Sequence, residues 1–185
     1  MNPALMFIHS AGPQGENQGS SNLIKYVRNG LGNDAEVNSP KMPTPEDPKY
    51  SDWKNELDKA LAKHSGGIVL VGHSLGGSVL LKYLSEEVYH VKVLGLFIVA
   101  APFWGIDDDW QRKDFFLQEA FEQHLKKIPH IFLYHSRNEE IVPFSHHIVL
   151  AEKLTRSTCR ILDGSDHLFD NGLPELVRDV RSLLR

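Results

Sequence analysis

The chain has 185 residues, 41% of them hydrophobic and 24% charged, and a formal net charge of −4. Those proportions belong to an ordinary globular domain and exclude an intrinsically disordered chain. With 20 basic against 24 acidic residues there is no cationic excess to neutralise phosphates, so no nucleic-acid partner is expected.

Short apolar runs alternate with amphipathic stretches along the chain. The first run covers residues 4–9. Ser21 is placed to cap a helix that carries Leu23, Val27 and Leu31 on one face and stops at Gly30 or Gly32. A weak strand follows at residues 35–37. Pro40, Pro43, Pro45 and Pro48 then demand a loop, because each fixes φ and removes a donor. Trp53, Leu57, Ala60, Leu61 and His64 recur at helical spacing.

Gly66 and Gly67 end that helix, and residues 68–71 form a continuous apolar run. A helix over 75–85 turns Val79, Leu80, Tyr83 and Leu84 inward, and residues 91–100 form the next run. Phe116, Ala120, Phe121, Leu125 and Ile128 mark a further helix, stopped by Pro129. Residues 130–135 read as a strand. Ser145 is placed to cap a helix burying Ile148, Ala151 and Leu154. A strand over 158–162 precedes the cleanest helical stripe: Leu173, Leu176, Val177, Val180, Leu183 and Leu184.

Continuous apolar strands are buried on both faces, and alternation with helices predicts a three-layer α/β/α sandwich of about six mostly parallel strands. No repeat or linker interrupts it, so residues 1–185 are expected to form one domain. The single cysteine, Cys159, cannot close an intramolecular disulfide and reads as structural. The opening MNPALMFIHS lacks the basic start of a signal peptide, and the longest later apolar run, residues 94–102, is far too short for a bilayer. A cytoplasmic protein without membrane association is expected. Ligands of such sheets bind beyond the carboxyl ends of the strands, which selects the loops after Ile8, Val71, Ala100, His135 and Leu162.

The most informative of these follows Val71: Gly72-His73-Ser74-Leu75-Gly76-Gly77 fits G-x-S-x-G between an apolar strand and a helix. The turn is so tight that Gly72 and Gly76 must both lack side chains, and Gly77 lets helix and strand touch. Ser74 is expected in a strained conformation with its hydroxyl exposed, and the N–H of Leu75 to point where an oxyanion forms. The spacing fits neither G-x-G-x-x-G nor a P-loop. No cofactor is expected. No metal is expected either, since H-E-x-x-H is absent and adjacent His146 and His147 point to different sides of a helix.

Chain order in this arrangement is Ser, acid, His. His167, in the loop before the last helix, is placed to serve Ser74 as a base. For the acid, Glu139 is followed at the right interval by Val142-Pro143, with Glu140 the nearest rival and Asp163 a distant one. A carboxylate is needed to hold the imidazole Nδ1–H and stabilise the imidazolium. A second oxyanion N–H is expected from the loop His9-Ser10-Ala11-Gly12, from Ala11 or alternatively Ser10. His9, Ser10, His73, Phe103 and Trp104 are assigned to substrate contact. Phe103, Trp104, Trp110, Phe115 and Phe116 read as an aromatic wall, and Asp107, Asp108 and Asp109 as a fence against anions.

With these residues in place, the chain resembles small, nearly lidless α/β-hydrolases over essentially its whole length. The closest resemblance is to the serine hydrolases grouped with retinoblastoma-binding protein 9. It implies a compact α/β-hydrolase fold with a minimal cap, and Ser74, an acid at 139 and His167 as triad. The family's loop carries Asp where this chain has Glu139, and His9-Ser10 replaces the more usual His-Gly. The pocket-protein-binding pattern L-x-C-x-E is absent around Cys159, where Ser157 and Ile161 stand, so retinoblastoma binding does not carry over.

The expected function is a serine hydrolase cleaving small carboxylic esters, or thioesters or amides, through an acyl-enzyme on Ser74. Its partner would be a small ester-type substrate, and the protein a monomer or weak homodimer. The alternative, motivated by Glu139, is a catalytically weak hydrolase frame acting as an interaction module. A mononucleotide-binding α/β module is a third reading.

Overall fold

Along the strands, neighbouring side chains go to opposite faces, and both faces are covered. The computed structural model describes residues 4–184; residues 1–3 and 185, which the signal-peptide and domain expectations include, lie outside the described residues. The elements run β1 (Ala4–Ile8), α1 (Ser21–Leu31), β2 (Glu36–Asn38), α2 (Tyr50–Leu61), β3 (Gly67–His73), α3 (Leu75–Glu86) and β4 (Lys92–Val99). After a long irregular stretch come α4 (Phe121–His124), β5 (Ile131–Ser136), α5 (Phe144–Lys153), β6 (Thr158–Leu162) and α6 (Pro174–Leu183).

The six strands form one parallel sheet in the order β2-β1-β3-β4-β5-β6. On one face, Met6, Ile8, Leu70, Leu96, Ile98 and Leu133 pack against α2, α3 and α5. On the other, Leu5, Phe7, Val69, Val71, Phe97 and Tyr134 pack against α1 and α6. This is the expected three-layer α/β/α fold. The order of strands reverses between β1 and β3, which opens a crevice at their carboxyl ends. Register aligns Ile8 with Gly72 across that pair, so the loop from His9 onward lies beside the bend at Ser74. No helix of the described residues is long and apolar enough to cross a membrane.

Four local expectations need correction. Ser21 lies inside α1 and donates to the Gly15 carbonyl at 2.6 Å; it caps nothing. The helix expected through Phe116 to Ile128 is broken, because Ala120 sits at φ +58°, outside helical geometry, and only one turn of α-helix and one of 3₁₀-helix follow it. Pro143 stands where Ser145 was expected to cap, and α5 buries His146, His147 and Leu150 while Ile148 is 47% exposed. Cys159 is exposed on the edge strand β6, so it is not a core residue.

Candidate functional site

Ser74 joins β3 to α3 at φ +53°, ψ −123°, a conformation that L-residues avoid and that persists only where surrounding structure enforces it. The enforcement is visible in the glycines. A Cβ on Gly72 would stand 2.6 Å from the Gly76 carbonyl oxygen and the Gly77 nitrogen. A Cβ on Gly76 would land on the carbonyl oxygens of Ile8 and His9, so the second glycine is required by β1 rather than by Gly72. The Ser74 N–H is held by the Val99 carbonyl at 2.8 Å. A serine before a helix ordinarily caps it with its hydroxyl. Here the Ser74 side chain makes no cap and lies 3.0 Å from His167 Nε2 instead.

The other edge of His167 faces Glu139: Nδ1 is 3.2 Å from Oε1 and 3.1 Å from Oε2. A carboxylate there accepts, so Nδ1 carries the proton and Nε2 is left to accept from the Ser74 hydroxyl. Glu139 is buried in the turn after β5 and takes the N–H groups of Ile141 (2.9 Å) and Val142 (3.0 Å). His135, at the end of β5, brings Nε2 to 2.8 Å from the Val142 carbonyl and 3.2 Å from Glu139 Oε1. Burial opposes ionisation of Glu139, but hydrogen bonds from His135, His167 and Ile141 outweigh it and hold the carboxyl well below the usual carboxylate range. Of the rival acids, Glu140 is exposed and Asp163 pairs with Arg137 at 3.3 Å.

His73 is fully buried. Its Nε2 donates to the His167 carbonyl at 2.7 Å, and its Nδ1 lies 2.8 Å from Ser20 Oγ. Ser20 Oγ in turn accepts the Ser10 N–H at 2.8 Å. Desolvation, reinforced by the nearby His167 ring, pushes His73 down to about 3, so the ring is neutral and each bond in the chain has one direction. The Ser10 N–H is consumed by Ser20 and the Gly12 N–H by the Pro45 carbonyl at 2.8 Å, so of Ser10, Ala11 and Gly12 it is Ala11 whose N–H is not spent in these bonds. Leu75 opens α3, where first-turn N–H groups lack intrahelical acceptors.

A cavity of about 470 Å³ opens over Ser74 and His167. Ser10, Ala11, Leu75 and Trp104 line it; His9, His73 and Phe103 do not. His9 is buried, and burial pushes its ring down to about 4. Phe103 packs on Phe121, ring centroids 6.1 Å apart. Asp107 does not fence the mouth either. One carboxylate oxygen caps the N–H groups of Asp109 and Trp110, and the other lies 3.4 Å from His146 Nε2. The acidic residue lining the cavity is Glu46, and Arg112 lines it too. Neither was singled out from the sequence, nor was Ser20; His135 was noted there as a strand end and set aside as a metal ligand, not as a partner of Glu139, although it stands four residues before it. Among the described residues no group of three or more His, Cys, Asp or Glu side chains is arranged to hold a metal ion.

The family described as serine hydrolase matches residues 17–176. YdeN of Bacillus subtilis (strain 168) is 30% identical over 139 residues, covering 73% of this chain and 72% of YdeN. The crystal structure of the ydeN gene product from B. subtilis superposes with a TM-score of 0.79 at 19% identity over 98% of both chains. CarC, a serine hydrolase involved in carbazole degradation, gives 0.75 at 14% identity over 99% of this chain and 91% of its own. An esterase domain from Rhodothermus marinus gives 0.66 at 18% identity, with 99% and 85% covered. At those identities the structural likenesses establish the α/β-hydrolase fold.

Proposed function

Because the chain belongs to the serine hydrolase family, we propose that it cleaves carboxylic esters through an acyl-enzyme on Ser74, with His167 as base and Glu139 as the orienting acid. The observation that carries this reading is the unbroken line from Ser74 Oγ to His167 Nε2 (3.0 Å) and from His167 Nδ1 to Glu139 (3.1 Å).

The bend at Ser74 acts as a nucleophile elbow. Ser74 Oγ bonds to the substrate carbonyl carbon as its proton passes to His167 Nε2. The negative charge that develops on the carbonyl oxygen meets the N–H groups of Leu75 and Ala11. Collapse of the tetrahedral intermediate breaks the ester C–O bond, and His167 returns the proton to the departing alcohol. Water then attacks the acyl carbon while His167 takes its proton, the acid leaves, and Ser74 regains its hydrogen. Glu139 stabilises the imidazolium in both halves. Thioesters and amides would use the same machinery.

The seating of Glu139 among four donors supports a working acid over an inert frame. The elbow and the acid–x–x–Val142-Pro143 loop also support the nearer kinship with the retinoblastoma-binding protein 9 group. We place the protein in the cytoplasm on its single cysteine and without nucleic-acid partners on its charge balance, and read it as one domain over 1–185, a monomer or weak homodimer.

A fluorophosphonate probe tests the nucleophile. Labelling is expected on Ser74 and absent from Ser74→Ala, and p-nitrophenyl acetate turnover should vanish in both Ser74→Ala and His167→Ala. Persistent labelling of Ser74→Ala would reject the assignment.

A further inference from the structure

The cavity over Ser74 is walled by two indoles and a phenyl ring. Trp104 and Trp110 meet edge to face with centroids 5.0 Å apart, and Trp104 lies 5.4 Å from Phe115. This wall is fixed in place from behind. His146, fully buried on α5, accepts the Phe103 N–H on Nδ1 at 3.0 Å and lays its ring 5.2 Å from Trp110. A wall so anchored keeps its shape without a substrate, which favours a rigid, flat group over a flexible chain that loses rotamer freedom on entry.

The charges point the same way. The basic side chain lining the cavity, Arg112, lies over the Phe115 ring at 5.2 Å and bonds the Pro48 carbonyl. It also pairs with Asp47 at 3.6 Å and Asp114 at 3.8 Å. Its charge is therefore spent on the protein, and the remaining acid at the cavity, Glu46, repels a carboxylate. A volume of about 470 Å³ exceeds what an acetyl group needs and falls within the range of cavities that enclose a ring-bearing ligand.

We propose that the substrate is an uncharged ester with an aromatic ring a few atoms from the scissile carbonyl, seated against Trp104, Trp110 and Phe115. This rests on the serine hydrolase reading of Ser74 and names the substrate class for that site.

The test uses trifluoroethyl esters, whose leaving group has no ring, with acid release followed by pH-stat. The acyl groups are 3-phenylpropanoyl, 3-cyclohexylpropanoyl, hexanoyl and the carboxylate-bearing succinyl; acetates of phenylethanol and cyclohexylethanol place the ring on the alcohol side. On at least one side, kcat/KM for phenyl is expected to exceed cyclohexyl by about two- to tenfold, the usual advantage of aromatic pairs. The succinyl ester should be at least about tenfold slower than hexanoyl, as an unpaired charge near Glu46 requires. In Trp110→Leu and Trp104→Leu, each checked for an intact thermal transition, the phenyl-to-cyclohexyl ratio should fall to about one. A ratio of one or less on both sides in the wild type, or a faster succinyl ester, would overturn the proposal while fluorophosphonate labelling of Ser74 still stood. Failure of labelling at Ser74 would instead overturn the reading beneath it.

Discussion

The ring of His73 donates from Nε2 to the backbone carbonyl of His167 at 2.7 Å, and its other nitrogen reaches back through Ser20 to the N–H of Ser10. One neutral imidazole thus ties the loop bearing the base to the loop bearing Ala11. His73→Asn keeps an acceptor for Ser20 but loses the donor to His167, so the base loop is expected to shift while the oxyanion loop stays. Misplacement of this kind costs roughly 10- to 100-fold in kcat with a smaller change in KM. Ser20→Ala should give a similar loss from the opposite end. The double variant should lose less than the product of the two, because both act through one hydrogen-bonded chain. Multiplicative losses in ester turnover would separate the two residues and sink the coupling.

Glu139 offers a sharper test of the acid. Glu139→Gln keeps the shape but replaces one acceptor oxygen with a donor and favours the wrong tautomer of His167. By analogy with a triad Asp→Asn change, turnover should fall on the order of 10⁴-fold. Glu139→Asp shortens the arm by one methylene, so the carboxylate cannot reach both His167 and the N–H groups of Ile141 and Val142. A loss of roughly 10- to 100-fold is expected. An Asp variant as active as the wild type would mean that the longer arm is not what aligns His167.

What the sequence disclosed depends on how far apart the cause and effect lie along the chain. The strands, α3 and the bend at Ser74 were legible because their constraints are local: apolar runs, and two glycines around one serine. Strand order also brings β1 against β3, so the nearness of the loop after Ile8 to the bend followed from the fold. The Ser20–His73 contact spans 53 residues and leaves no local pattern. The buried face of α5 was misread because His146 and His147 count as polar, yet one accepts the Phe103 N–H and the other stacks on Phe144, centroids 5.2 Å apart. The broken helix before β5 hid behind good periodicity, since nothing in the letter Ala at 120 announces φ +58°.

Buried histidines make stability depend on pH. His73 is pushed down to about 3, and His9 and His147 to about 4, in each case chiefly by desolvation. In the unfolded chain they titrate near 6.5, so between those values the unfolded state binds more protons. Their contribution is whole above about 6.5 and is lost as pH falls towards 4 and 3. Glu139 adds to this further down: its folded value is depressed, so its contribution holds above the ordinary carboxylate range and fades below it. The thermal midpoint should be flat above about pH 7 and fall steadily below about 6.5. His147→Phe removes a titrating ring whose Nε2 has no partner, so it should raise the midpoint at about pH 5 more than at about pH 8. An equal shift at both would assign the acid sensitivity elsewhere.

The bend itself can be probed through its second glycine. Gly76→Ala drives a methyl onto the carbonyl oxygens of Ile8 and His9, which are backbone atoms and cannot swing aside. Either α3 or the end of β1 must move, and the proposed oxyanion donors, Leu75 and Ala11, lie on α3 and in the loop after β1. The expected cost is about 1–3 kcal/mol of stability, typical of overpacking. Displacing a donor should also slow turnover by up to about 10²–10³-fold. Gly66→Ala is the control: a methyl there meets nothing within 4 Å, so stability should hold or rise slightly. Denaturant titration and ester turnover, measured side by side, decide the matter. If Gly76→Ala kept wild-type stability and rate, β1 and α3 would not be in the close contact that sets the geometry around Ser74.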